Sequence, residues 1–573
     1  MANTSSSRKH VIVIGAGVGG AALAARLAHR GYKVTVVEKH SQLGGRCSLL
    51  QSDRHRWDVG PSLYLMPELF ESFFSSLGLN IDDYVSLERC EPSYKVHFAP
   101  PKSARGPVEP LELSTSLPKL GPALARYEGP AGNDDALGSF LAFLKEAGDH
   151  YEESVRYVLL KDWNHLLPAL MRWDMYPMLL RTRVLRIWST AWRRACHYFR
   201  SDEVRRAMTF SSMYMGMSPF EAPATYTLLQ YAEYAKGVFY PIGGFQTVVA
   251  AFAKVAVQFG ARFIYDATVT RITLAGDEGP EEDEVEKMLV SDTKRPKTSR
   301  VKGVELADGT KIEADAVVSN ADLIWTYNNL LPPSSYAKRL RGKKQTCSSI
   351  SFYWGLSEVV EELGMHNIFL AQDYRESFDE IFKDGKVPTE PSFYVNVPSR
   401  VDPSAAPRGG DTMVILVPCG PIASSNAPEG YKDKASFEAI KTKVRAQVLA
   451  VLQSRIGRDI SALIREEHVM DPWDWREKYG LWNGSILGLS HCVSQVLWFR
   501  PSNQHETLRN MFFVGASAMP GTGVPVVCAG SGIVADKVDQ YFQNNSAPQS
   551  YIAAVFSLLS LFISMSLMYL VLL

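Results

Sequence analysis

The first clear pattern along the chain lies close to its N-terminus. After the polar stretch Met1–His10, the apolar run Val11–Ile14 is cut off by Gly15-Ala16-Gly17-Val18-Gly19-Gly20. An Ala/Leu-rich segment, Ala21–His29, follows, and then a second alternating apolar run, Lys33–Glu38. Short apolar runs bounded by glycine read as buried parallel strands, and the segment between them has helical spacing. The pattern predicts strand, glycine turn, helix, strand: a βαβ unit within about 30 residues.

Loops are expected at Pro100–Pro107 and Gly129–Gly138. From Tyr151 to Arg200 the chain turns helical, aromatic and basic, with Arg172, Arg181, Arg183, Arg186, Arg193, Arg194 and Arg200 beside Trp163, Trp173, Trp188 and Trp192. Leu180, Val184, Ile187, Ala191 and Ala195 give one apolar face. Such a helix lies either in a lipid headgroup region or on its own domain with a solvated side. Further on, Val248–Phe259 reads as a helix ending at Gly260. Arg262–Leu274 and Arg300–Leu306 read as strands around a solvated insertion that carries Glu281, Glu282, Asp283, Glu284 and Glu286. Strands are expected again at Ala316–Ser319, Ser349–Leu356, Met413–Pro418 and Met511–Val514. The fold class is α/β, with interleaved domains.

The last 23 residues, Tyr551–Leu573, contain no charge, Pro or Gly. As a helix they would reach about 35 Å, enough for a hydrocarbon core of about 30 Å. A single-pass C-terminal anchor is expected, with the rest of the chain facing the cytosol and the endoplasmic reticulum as the candidate membrane. Lys+Arg and Asp+Glu are both 61, so no global field attracts a polyanion, and a nucleic-acid partner is not expected. Seven cysteines, odd in number and never spaced C-x-x-C, argue against a disulfide framework or a zinc site; no metal is expected.

Candidate chemistry starts at the glycine turn. Gly15 permits the tight turn, Gly17 lets backbone approach a pyrophosphate, and Gly20 lets helix and strand pack closely. The helix N-terminus offers unpaired N–H groups to that anion. Glu38, ending the second strand, would accept from adenosine ribose hydroxyls and repel a 2′-phosphate, which disfavours NADP. FAD and NAD share this half. Gly44-Gly45-Arg46 adds a second close backbone approach and a guanidinium fork, suited to a pyrophosphate held from both sides. Far away in sequence, Phe512–Ala516 leads through Pro520–Pro525 into a helix that is expected to end near Phe542, a second strand–glycine–helix junction. Its dipole would stabilise negative charge on a reduced flavin.

Taken together, the chain resembles the bacterial- and fungal-type phytoene desaturases of the carotenoid and retinoid FAD oxidoreductase family. The resemblance covers nearly the whole chain. It is carried by the fingerprint with Glu38 and Gly44-Gly45-Arg46, by Asp58-Val59-Gly60-Pro61-Ser62, Met213–Phe220, Tyr240–Phe245 and Gly484–His491, and by Trp498-Phe499-Arg500-Pro501 and Gly515–Pro525. It implies that Gly15, Gly17, Gly20, Glu38 and Arg46 bind the ADP half of FAD, that Val269 meets the adenine through its backbone, and that Gly60, Pro61, Gly515, Val524 and Pro525 surround the flavin. It also implies a Rossmann-type FAD-binding domain in three parts (8–100, 237–325, 485–545). A helical substrate- and membrane-associating region (101–236), a substrate-binding domain (326–484) and the anchor (551–573) are interleaved with it. The chain departs from the family at Ala518-Met519, usually Thr-His, and at Ile242, usually Arg.

The expected reaction is stepwise desaturation of phytoene toward lycopene or beyond, with quinone or oxygen as electron acceptor. Its expected partners are an apolar polyprenyl substrate and membrane lipid; self-association is left open. The departures motivate an alternative, a related FAD oxidoreductase or isomerase acting on another isoprenoid. An alternative from another class is a flavin-stabilised scaffold without catalysis. Met-, Phe- and Tyr-rich stretches such as Ser211–Phe220 suit either a tunnel wall or plain core. His491 and Glu221 are conceivable bases, but a lone His or Glu is more often structural, and no catalytic base is assigned.

Overall fold

The computed structural model describes residues 8–100, 106–163, 185–275, 300–422, 428–431 and 433–546. The expected span Tyr551–Leu573, the acidic run around Glu281–Glu286, and Arg172, Trp173, Arg181 and Arg183 lie outside them. Among the described residues no helix is long and apolar enough to cross a membrane.

Five short strands form a wholly parallel sheet in the order Met511–Phe513, Ala316–Ser319, His10–Ile14, Lys33–Val37, Arg262–Ile264. Its strands come from widely separated stretches of chain, and side-chain alternation sends them to two cores. Val11, Val13, Val34, Val36, Val318 and Phe512 pack under the helices Val18–His29, Gln246–Gln258 and Val524–Ser546. Ile12, Ile14, Val37, Val317, Met511 and Phe513 face a three-stranded antiparallel sheet built from Val269–Leu274, Val301–Leu306 and Lys311–Glu313. Burial on both faces explains why these strands read as apolar runs.

One expected strand is two. Arg262–Leu274 breaks at Asp266, whose φ is +52°. The Asp266 N–H donates to His40 O at 3.1 Å and Ala267 N–H to Glu38 O at 2.9 Å. Arg262–Ile264 therefore closes the parallel sheet while Val269–Leu274 opens the antiparallel one. The alternating apolar pattern runs through the corner without a glycine or proline to mark it.

A second body is a seven-stranded mixed sheet ordered Ile464–Met470, Ser348–Leu356, Asp411–Cys419, Phe393–Asn396, His366–Phe369, Tyr94–His97, Leu111–Leu113. Ile350, Phe352, Trp354, Met413, Ile415 and Val417 on one face pack against the helix Lys434–Ile456 through Val444, Val448 and Leu452. The division of the chain at residue 100 does not follow these sheets, because Tyr94–His97 pairs with His366–Phe369. That pairing joins residues far apart in sequence and leaves no local trace.

In the basic helical region, part of the charge is turned inward. Arg194 makes a two-pronged pair with Glu146 at 2.6 and 2.7 Å, and Arg186 meets the same carboxylate at 3.3 Å. Ala191 and Ala195 are buried, whereas Trp188 is 84% exposed.

Two carboxylates fold the Tyr240–Phe245 turn onto the strand Arg56–Asp58. Buried Asp58 accepts from Tyr240 Oη at 2.7 Å and from the Phe245 N–H at 2.6 Å, and burial pushes its carboxyl up to about 6. Asp402 accepts from Arg56 Nη2 at 2.5 Å and from the Gly243 N–H at 2.7 Å. Asp58→Ala leaves two buried donors without a partner. Denaturant unfolding should register a loss of about 3 kcal/mol; a change below about 0.5 kcal/mol would show that the turn is held elsewhere.

Candidate active site

At the C-terminal ends of the parallel strands, the first glycine turn is built without room for side chains. Gly15 has φ +94°, and a Cβ on Gly20 would stand 2.0 Å from Gly15 O. Gly20 is thus demanded by the turn itself more than by packing of helix on strand. The Gly44–Gly45 turn lies edge-on against it: Gly44 N–H donates to Ala16 O at 3.0 Å, and a Cβ on Gly45 would be 3.5 Å from Gly17 Cα. Glu38, 5% exposed, accepts from Ala16 N–H at 2.7 Å and His40 N–H at 3.0 Å, and still lines the cavity.

The second junction meets the first. A Cβ on Gly19 would stand 3.0 Å from Val527 Cγ1 and 3.1 Å from Val514 Cγ2, so the helices Val18–His29 and Val524–Ser546 start side by side. Asn320, which the sequence reading missed, joins them. Its N–H donates to Ile14 O at 2.8 Å and its Nδ2 to Val514 O at 2.9 Å. Its amide lies 2.9 Å from a Cβ placed on Gly17 and 2.6 Å from one on Gly19. The only sequence signal was a polar residue directly after the strand Ala316–Ser319. Asp322, also missed, caps the next helix by accepting from Trp325 N–H at 2.9 Å; burial raises its carboxyl and Arg46 opposes the rise.

The two junctions open into one cavity of about 1060 Å³. Gly15, Gly17, Glu38, Gly45, Arg46, Gly60, Pro61, Val269, Gly515, Val524 and Pro525 all line it; Gly20 does not, and sits behind the turn. Arg46 Nη1 donates to Ile486 O at 2.5 Å, and its other N–H groups have no protein acceptor among the described residues. Burial lowers the affinity of that guanidinium for its proton. A backbone cradle that a Cβ on Gly17, Gly19, Gly20 or Gly44 would crowd, a helix N-terminus and an unspent guanidinium fork together suit the pyrophosphate of a dinucleotide. The fit to FAD is good.

Beyond the cradle the wall turns apolar: Leu65, Met66, Phe210, Met213, Leu228 and Leu416 line it. Part of the Ser211–Phe220 stretch is therefore wall, and Phe220 itself packs away from it against Trp192 and Tyr374. Glu221 is no base, being paired with Lys344 at 2.8 Å on the surface. His491 is at the wall and 3% exposed. Its Nε2 accepts from Thr522 N–H at 3.1 Å, so the ring proton is on Nδ1, which has no partner among the described residues. Burial, then the Arg500 charge, holds it far below the usual imidazole range, and it is neutral.

Arg500 is a buried cation tied to carbonyls. It donates to Ala518 O at 3.0 Å, Ala516 O at 2.5 Å, and Leu489, Ser490 and Gln495 O at 3.3 Å each. Burial lowers it to about 10, so it stays charged. The family departures lie off this wall. Met519 Sδ accepts from Trp163 N–H at 3.0 Å in a small buried cluster, Ala518 is 2% exposed, and none of Ala518, Met519 and Ile242 lines the cavity.

A parallel sheet with two glycine junctions over one dinucleotide cradle defines the class: an FAD-binding α/β oxidoreductase fold. The model of the family described as flavin containing amine oxidoreductase matches residues 18–527. The phytoene desaturase of Phycomyces blakesleeanus is 49% identical over 93% of this chain and 86% of its own. That of Fusarium fujikuroi is 45% identical over 95% and 92%. An oxidoreductase structure from Methanosarcina mazei superposes with a TM-score of 0.56 at 15% identity, covering 92% of this chain and all of that one. The chain belongs to the flavin containing amine oxidoreductase family and, within it, stands with the fungal phytoene desaturases. Its cofactor is FAD.

Asn320→Ala removes the amide that ties the two junctions. A lost hydrogen bond of about 1 kcal/mol should weaken FAD retention about fivefold. Flavin released on gel filtration measures it, and undiminished retention would remove Asn320 from the site.

Proposed function

We propose that this protein is an FAD-dependent phytoene desaturase working at a membrane surface. The observation that carries this is a cavity at the upper end of the usual ligand-pocket range of about 300–1,000 Å³ that joins a dinucleotide cradle to an apolar wall. Gly15, Gly17, Gly45 and Arg46 hold the pyrophosphate, Gly20 keeps the turn, Glu38 takes the ribose and the Val269 backbone the adenine. Gly60, Pro61, Gly515, Val524 and Pro525 surround the redox ring. Bound FAD supplies a two-electron hydride acceptor.

The chain's own contribution is position and field. A hydrocarbon offers no polar handle, so the apolar wall aligns it by shape and excludes water. Arg500, held behind Gly515–Gly521, and the N-terminus of Val524–Ser546 both favour negative charge where electrons arrive. The case for a different isoprenoid substrate rested on Ala518, Met519 and Ile242. With those side chains off the cavity wall, phytoene is the better reading.

Membrane association is supported by the cavity's rim. Trp188, Phe499 and Val493 line it and are 84%, 52% and 39% exposed. A substrate that gains about 0.8 kcal/mol per CH₂ by staying in lipid must be collected there, and the uncharged run Tyr551–Leu573 is the proposed anchor. The parallel-sheet segments form the cofactor part, and the mixed sheet with its helices forms the substrate part.

Two measurements test this. Anaerobic addition of phytoene in detergent micelles should bleach the bound flavin, and phytoene-accumulating cells should turn coloured; folded, flavin-loaded protein that does neither refutes the substrate. Deleting 551–573 together with Trp188→Ser and Phe499→Ser should move the protein from the membrane pellet to the supernatant. Full retention in the pellet would overturn the membrane assignment.

A further inference from the structure

Removing hydrogen from a hydrocarbon leaves a proton to be placed, and the apolar wall holds few groups able to take one. Ser62 and Tyr394 both line the cavity, at 6% and 8% exposure. Ser62 directly follows Gly60-Pro61. Behind it runs a buried chain: Ser62 Oγ to Tyr394 Oη at 2.8 Å, and Tyr394 Oη to His366 Nδ1 at 2.7 Å. The sheet fixes this order, since His366 stands opposite Asn396 and so lies diagonal to Tyr394 on the same face.

The direction of the chain can be read from its donors. Asn396 Nδ2, which can only donate, reaches the same His366 Nδ1 at 3.4 Å. Nδ1 is therefore the lone-pair nitrogen and the proton is on Nε2, which has no partner among the described residues. Tyr394 then donates to His366, Ser62 donates to Tyr394, and the lone pairs of Ser62, a residue of the cavity wall, accept from no donor among the described residues. Burial lowers His366 to about 3, so the imidazole rests neutral. A weak base suffices, because the proton leaves a carbon next to one that is losing hydride and is correspondingly acidic.

We propose that Ser62, Tyr394 and His366 form the relay that takes the substrate proton during desaturation, with Ser62 as the catalytic residue and Tyr394 and His366 acting through it. The inference rests on the desaturase reading above. In each step one C–H bond breaks with both electrons, which go as hydride to the flavin. The neighbouring C–H bond breaks with its proton going to Ser62 Oγ, and its electron pair becomes the new C=C π bond. The Ser62 hydroxyl proton moves to Tyr394 and the Tyr394 proton to His366 Nδ1; once product has left, the same hydrogen bonds carry the proton back through Tyr394 and Ser62 to water entering the cavity before the next turnover. Substrate is oxidised by two electrons and the flavin reduced by two.

The test uses the full-length holoenzyme and phytoene deuterated at the proton-losing carbon. Tyr394→Phe keeps the ring and removes the link. Anaerobic flavin reduction should slow about 100-fold, in the range of general acid–base effects. Deuterium at the proton-losing carbon should then slow it further, with flavin content and unfolding midpoint kept. Ser62→Ala should behave alike and Ser62→Thr should restore the rate. Independently of turnover, nitrogen-15 NMR of labelled histidine should place a hydrogen-bonded lone pair on His366 Nδ1 that shifts in Tyr394→Phe. Rates within threefold of the parent, or slowing without an isotope effect at that carbon, would overturn the relay while the desaturase stands. A parent protein whose flavin phytoene does not bleach would instead overturn the desaturase reading, and the relay with it.

Discussion

The molecule depends on close approach where Gly17 and Gly19 meet the Asn320 side chain and Gly45 meets the Gly17 backbone. At this point a Cβ on Gly17 or Gly19 would collide with the Asn320 amide, and a Cβ on Gly45 would touch Gly17 Cα at ordinary contact distance. Side chains are kept out so that N–H groups, two helix starts and the Arg46 fork can face one small volume. An anion placed there is met by fixed dipoles that need no rearrangement. The parallel sheet serves this point: its central strands deliver Gly15 and Asn320 side by side, because His10–Ile14 and Ala316–Ser319 are neighbours.

The mixed sheet solves a different problem. One face is filled by the helix Lys434–Ile456, and the other, through Ser349, Tyr394, Leu416 and Pro418, becomes wall of the cavity. Polar atoms on that second face are costly unless bonded. Three polar groups there are bonded in series, Ser62 to Tyr394 to His366, and among the described residues His366 Nε2 and Asn396 Oδ1 are left without a partner. Arg500 follows the same economy with five carbonyls in place of a counter-ion, which holds the Gly515–Gly521 loop and keeps a charge beside it.

The glycine fingerprint, Glu38 and the Gly44–Arg46 turn were legible in sequence because each is a local pattern whose geometry follows from its neighbours. The far junction at Gly515–Pro525 was legible for the same reason, strand and glycine and helix in order. Asn320, His366 and Tyr394 were not. Each matters through a partner hundreds or tens of residues away, and an isolated Asn, His or Tyr carries no spacing to read. The corner at Asp266 was missed because its left-handed residue is neither glycine nor asparagine, and the apolar alternation passes through it. His491 was seen but not placed; its neutral state follows from burial beside Arg500, which only the fold supplies.

The parallel sheet is completed by Met511–Phe513 and roofed by the loop that runs on to Pro525. A ribosome must therefore have translated past Pro525 before a flavin has anywhere to go. Until then the strand Ala316–Ser319 has one open edge, and an unpaired strand edge is an aggregation hazard for a nascent chain. Flavin capture thus waits for that strand, and a message cut short before it would encode a colourless, unfinished protein.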